Sequence, residues 1–203
     1  MPQKSLRGVL TVSAWTLIVY ECISILMTIL LPRVWSSMSP DGFRALCLFF
    51  TSSVSVLNAV LYILLLVLGL MVIRRDKDNK MAYCGGILLV AQSALRLLYA
   101  AFCMIANWVQ ISVSVSFSTS FISIMNVLVA LALLLIALKD KYQPLIVLAA
   151  LFVVFEILLG IFNSTHAILA QGYSITHTLI TGILALIAFI LEVCYLFTWA
   201  KRE

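Results

Sequence analysis

The chain alternates between long apolar runs and short polar interruptions. Stretches within the runs are apolar on every face: Leu61–Ile73 shows neither the period of two of a half-buried strand nor the single stripe of a soluble helix. A helix that is apolar all round needs about 20 residues to cross a hydrocarbon core of roughly 30 Å. Six runs fit that role, at about Val9–Leu31, Leu46–Ile73, Ala82–Val109, Phe117–Leu138, Leu145–Phe162 and Ile175–Ala200. A lipid-embedded barrel would alternate over about ten residues per strand, which these runs do not. Lipid offers backbone groups no partners, so helices remain. The expected fold is all-α, a polytopic membrane protein with a six-transmembrane-helix bundle forming one integral domain over residues 1–203.

Local signals refine this picture. The first run follows Lys4 and Arg7, as in a secretory signal. Its apolar length of about 23 residues exceeds the 7–15 of a cleavable segment, and no small-residue cleavage site follows, so it reads as a retained span. Ser39-Pro40-Asp41 has the order of an N-cap, an N1 proline and an early acid, which predicts that the second helix begins there. Such a helix outruns the bilayer and must tilt, bend near Ser52-Ser53, or lay its first turns on the surface. From Ser112 to Ser118 serine alternates with apolar residues as in a strand. An isolated strand in lipid leaves its backbone unpaired, whereas a helix puts Ser112, Ser116 and Ser120 on one small-residue face.

Composition and charge support the same class. Apolar residues make up 64% and charged residues 10%, well below the roughly 25% charged of soluble domains. Lys4, Arg7, Arg74, Arg75, Lys77, Lys80, Lys139, Lys141, Lys201 and Arg202 fall on one side of the spans, and only Arg33 and Arg44 on the other. The excess of basic residues in short loops predicts that both termini are cytoplasmic. The net charge of +5 is therefore a topology signal. Nucleic-acid binding would need a basic patch on a soluble surface, and Asp76, Asp78 and Asp140 dilute any basic patch for anionic lipid. The expected partner is the lipid bilayer itself.

Four ionisable residues lie well inside spans: Glu21, Arg96, Glu156 and Glu192. A charge at the bilayer centre costs about 2.5–3.5 kcal/mol even on the mildest scale, and such residues face the protein interior. Each has small or polar company at helical spacing. Arg96 shares a stripe with Gln92, Ser93 and Tyr99; Glu21 with Ser24 and Thr28; Glu156 with Gly160 and Asn163; Glu192 with Thr181, Ala185 and Ala188. The uncharged spans carry Ser55, Asn58 and Tyr62, and Thr119, Ser123 and Asn126. Turning all six stripes inward gives a polar seam in an apolar coat. Glu21, Arg96, Glu156, Gln92, Tyr99, Asn126 and Glu192 are the candidates for a ligand, ion or proton site. The bland alternative is a structural ion pair between Arg96 and Glu156 or Glu21 that fixes helix rotation. Three carboxylates against one guanidinium leave that pairing incomplete, and Glu192, nearer the cytoplasmic end, can instead snorkel outward.

Other residues carry less. A weak internal repeat, span–basic loop–span, sets Arg96 opposite Glu156 when Phe102 is aligned with Phe162. Cys22, Cys47, Cys84, Cys103 and Cys194 show no metal or redox spacing. His166 and His177, without a nearby carboxylate or thiol, read as loop and helix-start residues. Asn163-Ser164-Thr165 matches a glycosylation acceptor on the outer side. Trp15, Trp35, Trp108 and Trp199 fall near span ends, as an interfacial belt would. No catalytic constellation, metal site or cofactor motif emerges, and the sequence leans against an enzyme.

In size and span count the chain resembles small membrane transporters, including the substrate-binding subunits of energy-coupling-factor importers; no motif carries a residue across. The expected function is a small transporter or substrate-binding membrane subunit for a small polar or charged solute or a proton. Second comes a non-transporting scaffold or accessory subunit that binds a membrane partner, and third an intramembrane enzyme.

Overall fold

A computed structural model describes residues 3–34, 39–108, 115–169 and 175–203. Trp35 and Ser112 lie outside the described residues, as do the side chains of Arg33, Arg44, Trp108, Ser116, His166 and His177. The described chain is helical: α1 (Gln3–Val34), α2 (Pro40–Arg75), α3 (Lys80–Trp108), α4 (Val115–Asp140), α5 (Gln143–Leu169) and α6 (Ile175–Arg202). All six are long and apolar enough to cross a membrane.

Five of the six helices contain and outlast the apolar run that predicts them, and α3 begins ahead of its run. Hydropathy reports where a chain can meet lipid, whereas a helix ends where its backbone finds a cap. At α2 the cap is the expected one: Ser39 accepts from the Gly42 N–H at 3.3 Å, a proline sits in the first turn, and Asp41 follows. The helix then runs unbroken for 36 residues, about 54 Å at 1.5 Å per residue, with no break at Ser52-Ser53. Asp76 closes it by donating its N–H to the Val72 carbonyl. Asn79 opens α3 by accepting from the N–H groups of Met81 and Ala82 at 3.1 and 3.2 Å. Lys141, at φ 52°, takes the left-handed turn between α4 and α5. One expectation is corrected: α5 continues through Leu169, so Asn163-Ser164-Thr165 lies on helical backbone and not in a loop. Asn, Ser and Thr lower hydropathy without stopping a helix.

Every helix packs on its chain neighbours, and α6 packs on α1; no other pair is in close backbone contact among the described residues. The six therefore form a closed ring. Two glycines on α3 set how tightly it closes. A Cβ on Gly86 would stand 2.8 Å from Ile73 of α2, and one on Gly85 would stand 2.7 Å from the Ala132 carbonyl of α4. A Cβ on Gly69 of α2 would stand 2.9 Å from the Gly86 carbonyl oxygen. These are small-residue contacts of the kind that let helices approach where lipid removes the hydrophobic drive.

The core occupies one end of the ring. Buried side chains occur between Leu6 and Leu17, Leu61 and Val72, Ala82 and Ser93, Met125 and Ala137, Leu145 and Glu156, and Ala188 and Ala200. These segments adjoin the two short connections, 76–79 and 141–142, and the helix ends at Gln3 and Arg202. Among the described residues, no side chain in the other half is buried. Among the described residues, the ring is thus plugged at the end that carries the two short connections. Outward faces carry Val12, Val19, Ile63, Val67, Leu98, Val154, Ile183 and Ile190, an apolar coat too extensive for a water-facing surface.

Trp199 departs from the interfacial belt. It is 3% exposed and sits in the plug, donating its indole N–H to Glu203 at 3.3 Å. Nearness to a chain end in sequence says nothing about which side of a helix faces inward. Trp15 is exposed and meets Phe197 edge-on.

Candidate functional site

Immediately above the plug lies a cavity of about 180 Å³. Every helix delivers a polar side chain to it: Tyr20 and Glu21 from α1, Asn58 and Tyr62 from α2, Arg96 from α3, Asn126 from α4, Glu156 from α5 and Glu192 from α6. Leu17, Leu61, Leu65, Val129 and Phe152 form its floor and lower wall, continuous with the buried core. Ile122 and Ala185 also line it and are exposed. The volume exceeds by several-fold what one water requires, so there is room for a cluster of waters or a small solute.

Five of the seven residues singled out from sequence line this cavity: Glu21, Arg96, Glu156, Asn126 and Glu192. The other two do not. Gln92, one turn below Arg96, is 1% exposed within the plug, where its amide donates to Ser93 Oγ at 2.8 Å and its carbonyl oxygen has no partner among the described residues. Tyr99 stacks on Phe121, with ring centroids 4.5 Å apart. A shared stripe is a statement about angle around a helix axis; these two lie at other heights.

The expected ion pair of Arg96 with Glu156 or Glu21 does not form. Arg96 instead donates to Asn126 Oδ1, and its guanidinium lies over the Tyr62 ring at 5.1 Å from the centroid. Asn126 in turn lies beside Glu156 in the cavity, so a neutral amide stands near both cation and acid. An amide can serve both because its oxygen accepts and its nitrogen donates. Glu192 lies within electrostatic range of Glu156, Arg96 and Glu21 but contacts no cation among the described residues. It faces the cavity and does not snorkel past the plug.

Comparison with family models, curated proteins and solved structures found no match. The site therefore stands on its geometry. Among the described residues no three His, Cys, Asp or Glu side chains converge as metal ligands, and all five cysteines are free, Cys47 and Cys103 included.

Tyr20 was missed in the sequence. It lines the cavity and hydrogen-bonds Asn58, joining α1 to α2. The available signal was a tyrosine in mid-span, away from the interfaces where its hydroxyl could reach water. Asn58 and Tyr62 stood on a polar stripe but were not ranked with the charges.

Proposed function

We propose that the protein is a small integral membrane transporter, or the substrate-binding subunit of one, whose solute site is the cavity above the plug. The reading is carried by one observation: all six helices contribute polar groups to a single chamber floored by the buried core, with exposed Ile122 and Ala185 also in its lining. A purely structural core would pair its charges. Here Glu21, Glu156 and Glu192 share a cavity with one guanidinium that makes no contact ion pair among the described residues.

Orientation follows from charge. Arg74, Arg75, Lys77, Lys80, Lys139, Lys141, Lys201 and Arg202 all adjoin the plugged end. Basic residues are retained on the cytoplasmic side. In this reading the termini are cytoplasmic and the cavity opens to the opposite face. A carboxylate of the cavity exchanges a proton or binds a cation, while Arg96 tunes that exchange from its fixed seat on Asn126 and Tyr62. Delivery to the cytoplasm then requires the plug to part.

The test is solute or proton flux in liposomes holding the purified protein. Flux should be saturable and should fall at least about ten-fold in Glu156→Gln and Arg96→Ala proteins that keep native helicity, the loss expected when about 1.4 kcal/mol of barrier control is removed. Unchanged flux in folded variants rules the mechanism out.

A further inference from the structure

The cavity holds three carboxylates and one guanidinium. Arg96 is held by Asn126, and Glu156 lies beside that amide. From the adjacent helices α1 and α6, Glu21 and Glu192 line the same cavity, and neither makes a contact ion pair among the described residues. Aromatic rings from the same two helices also line it, Tyr20 from α1 and Phe189 from α6. The cavity also shows what its rings do with a cation, since the Arg96 guanidinium already lies over Tyr62. A positive group over such a face is favoured by about 0.5–2 kcal/mol, more as water is excluded.

From this juxtaposition we infer that the solute is a small organic cation, an ammonium on an apolar body. Its head sits among the carboxylates of Glu21, Glu156 and Glu192, and its body lies on the apolar lining at Leu17 and Phe189. The inference rests on reading the cavity as a solute site and names the class of solute. An anion would meet three acids, with the lone guanidinium already engaged. A bare divalent ion would need converging ligands, and none converge among the described residues. An ammonium asks for less: one or two carboxylates at modest range, an aromatic face and a shaped apolar pocket.

The full chain in lipid nanodiscs tests this with three probes on one frame: phenethylamine (cationic), 2-phenylethanol (neutral) and phenylacetate (anionic). Equilibrium binding is measured against empty nanodiscs. Phenethylamine should bind at least about ten-fold more tightly than 2-phenylethanol, and phenylacetate more weakly than both. Glu192→Gln and Glu21→Gln should each weaken phenethylamine about ten-fold while leaving 2-phenylethanol unchanged. Should Glu192→Gln fail to fold, Glu21→Gln, at a half-buried position, decides the matter alone. Equal binding of the three probes, tightest binding of phenylacetate, or no binding at all overturns the inference. Selective phenethylamine binding without any flux in liposomes would leave the cation site standing and remove the transporter reading. Saturable flux of phenylacetate would do the reverse.

Discussion

The Tyr195 hydroxyl on α6 donates to the backbone carbonyl of Leu133 on α4, 2.9 Å away, although the two helices make no close backbone contact among the described residues. A fully buried tyrosine thus ties together two helices, α4 and α6, that α5 separates in the ring. It also fills the space that would otherwise continue the cavity towards the basic end. Phenylalanine at this position keeps the volume and loses one buried hydrogen bond, so Tyr195→Phe should cost about 1 kcal/mol. Tyr195→Ala removes the ring as well and should cost about 3–5 kcal/mol, the range for emptying a buried aromatic site. Thermal unfolding in detergent reads both. In liposomes Tyr195→Ala should also leak small solutes while Tyr195→Phe stays tight. Equal stability of the two variants would show that Tyr195 is not a plug.

Helix spacing gives a second prediction. At Gly85 an added methyl would press on the Ala132 carbonyl, which cannot turn aside without moving α4. Gly85→Ala should therefore destabilise by about 1–3 kcal/mol, the usual cost of overpacking. Gly182 on α6 has nothing within 4 Å of the same methyl position. There alanine only reduces backbone freedom, and Gly182→Ala should be neutral or stabilising by up to about 1 kcal/mol. The two midpoints, measured side by side, should move in opposite directions.

How much of this was legible in the sequence depends on what each signal measures. Six helices were legible because lipid-length apolar runs have few alternatives. That Glu21, Arg96, Glu156 and Glu192 would share an interior was legible from the cost of leaving charges in hydrocarbon. Their partners were not. Which group Arg96 touches depends on the relative height and rotation of α3 and α4, and those are set by contacts such as Gly85 against Ala132. Hydropathy contains no term for either. The burial of Trp199 escaped for a related reason, since composition marks aromatic residues near span ends without saying which face is plugged.

Arg96 and Asn126 offer a third prediction, about coupling. If the amide holds the guanidinium in place, removing either partner should remove most of what the pair contributes. A double-mutant cycle with Arg96→Met and Asn126→Leu should return a coupling energy of about 1.5–3 kcal/mol, as for a hydrogen bond to a charged group. Arg96→Lys should behave like the methionine variant and not like wild type. An ammonium cannot both reach the amide and lie flat over the Tyr62 ring. A cycle that closes near zero would mean the contact is incidental.

The plugged end is also tied by ions. Lys139 at the end of α4 contacts Asp76 at the end of α2, and Arg75 meets Glu203 at 2.6 Å. Both acids are largely shielded, with side-chain exposures of 10% for Asp76 and 5% for Glu203, while their basic partners are more open. Glu203 also accepts from Trp199, so the pair braces the buried indole. These contacts link α2 to α4 and to α6 across the ring, as Tyr195 links α6 to α4. If the plug is a gate, opening it must break them. Lys139→Ala and Glu203→Gln should each lower stability only modestly, by about 0.2–1 kcal/mol as for partly exposed pairs, and by less in high salt. Their effect on transport should be larger in proportion, because the contacts oppose one conformational step. The closed state loses what the open state never had, so the population shifts towards opening. The expected result is faster solute exchange in liposomes with an almost unchanged unfolding midpoint, and restoration of slow exchange when Asp76→Lys is combined with Lys139→Asp. Exchange that is insensitive to both single variants would place the barrier in the apolar plug alone.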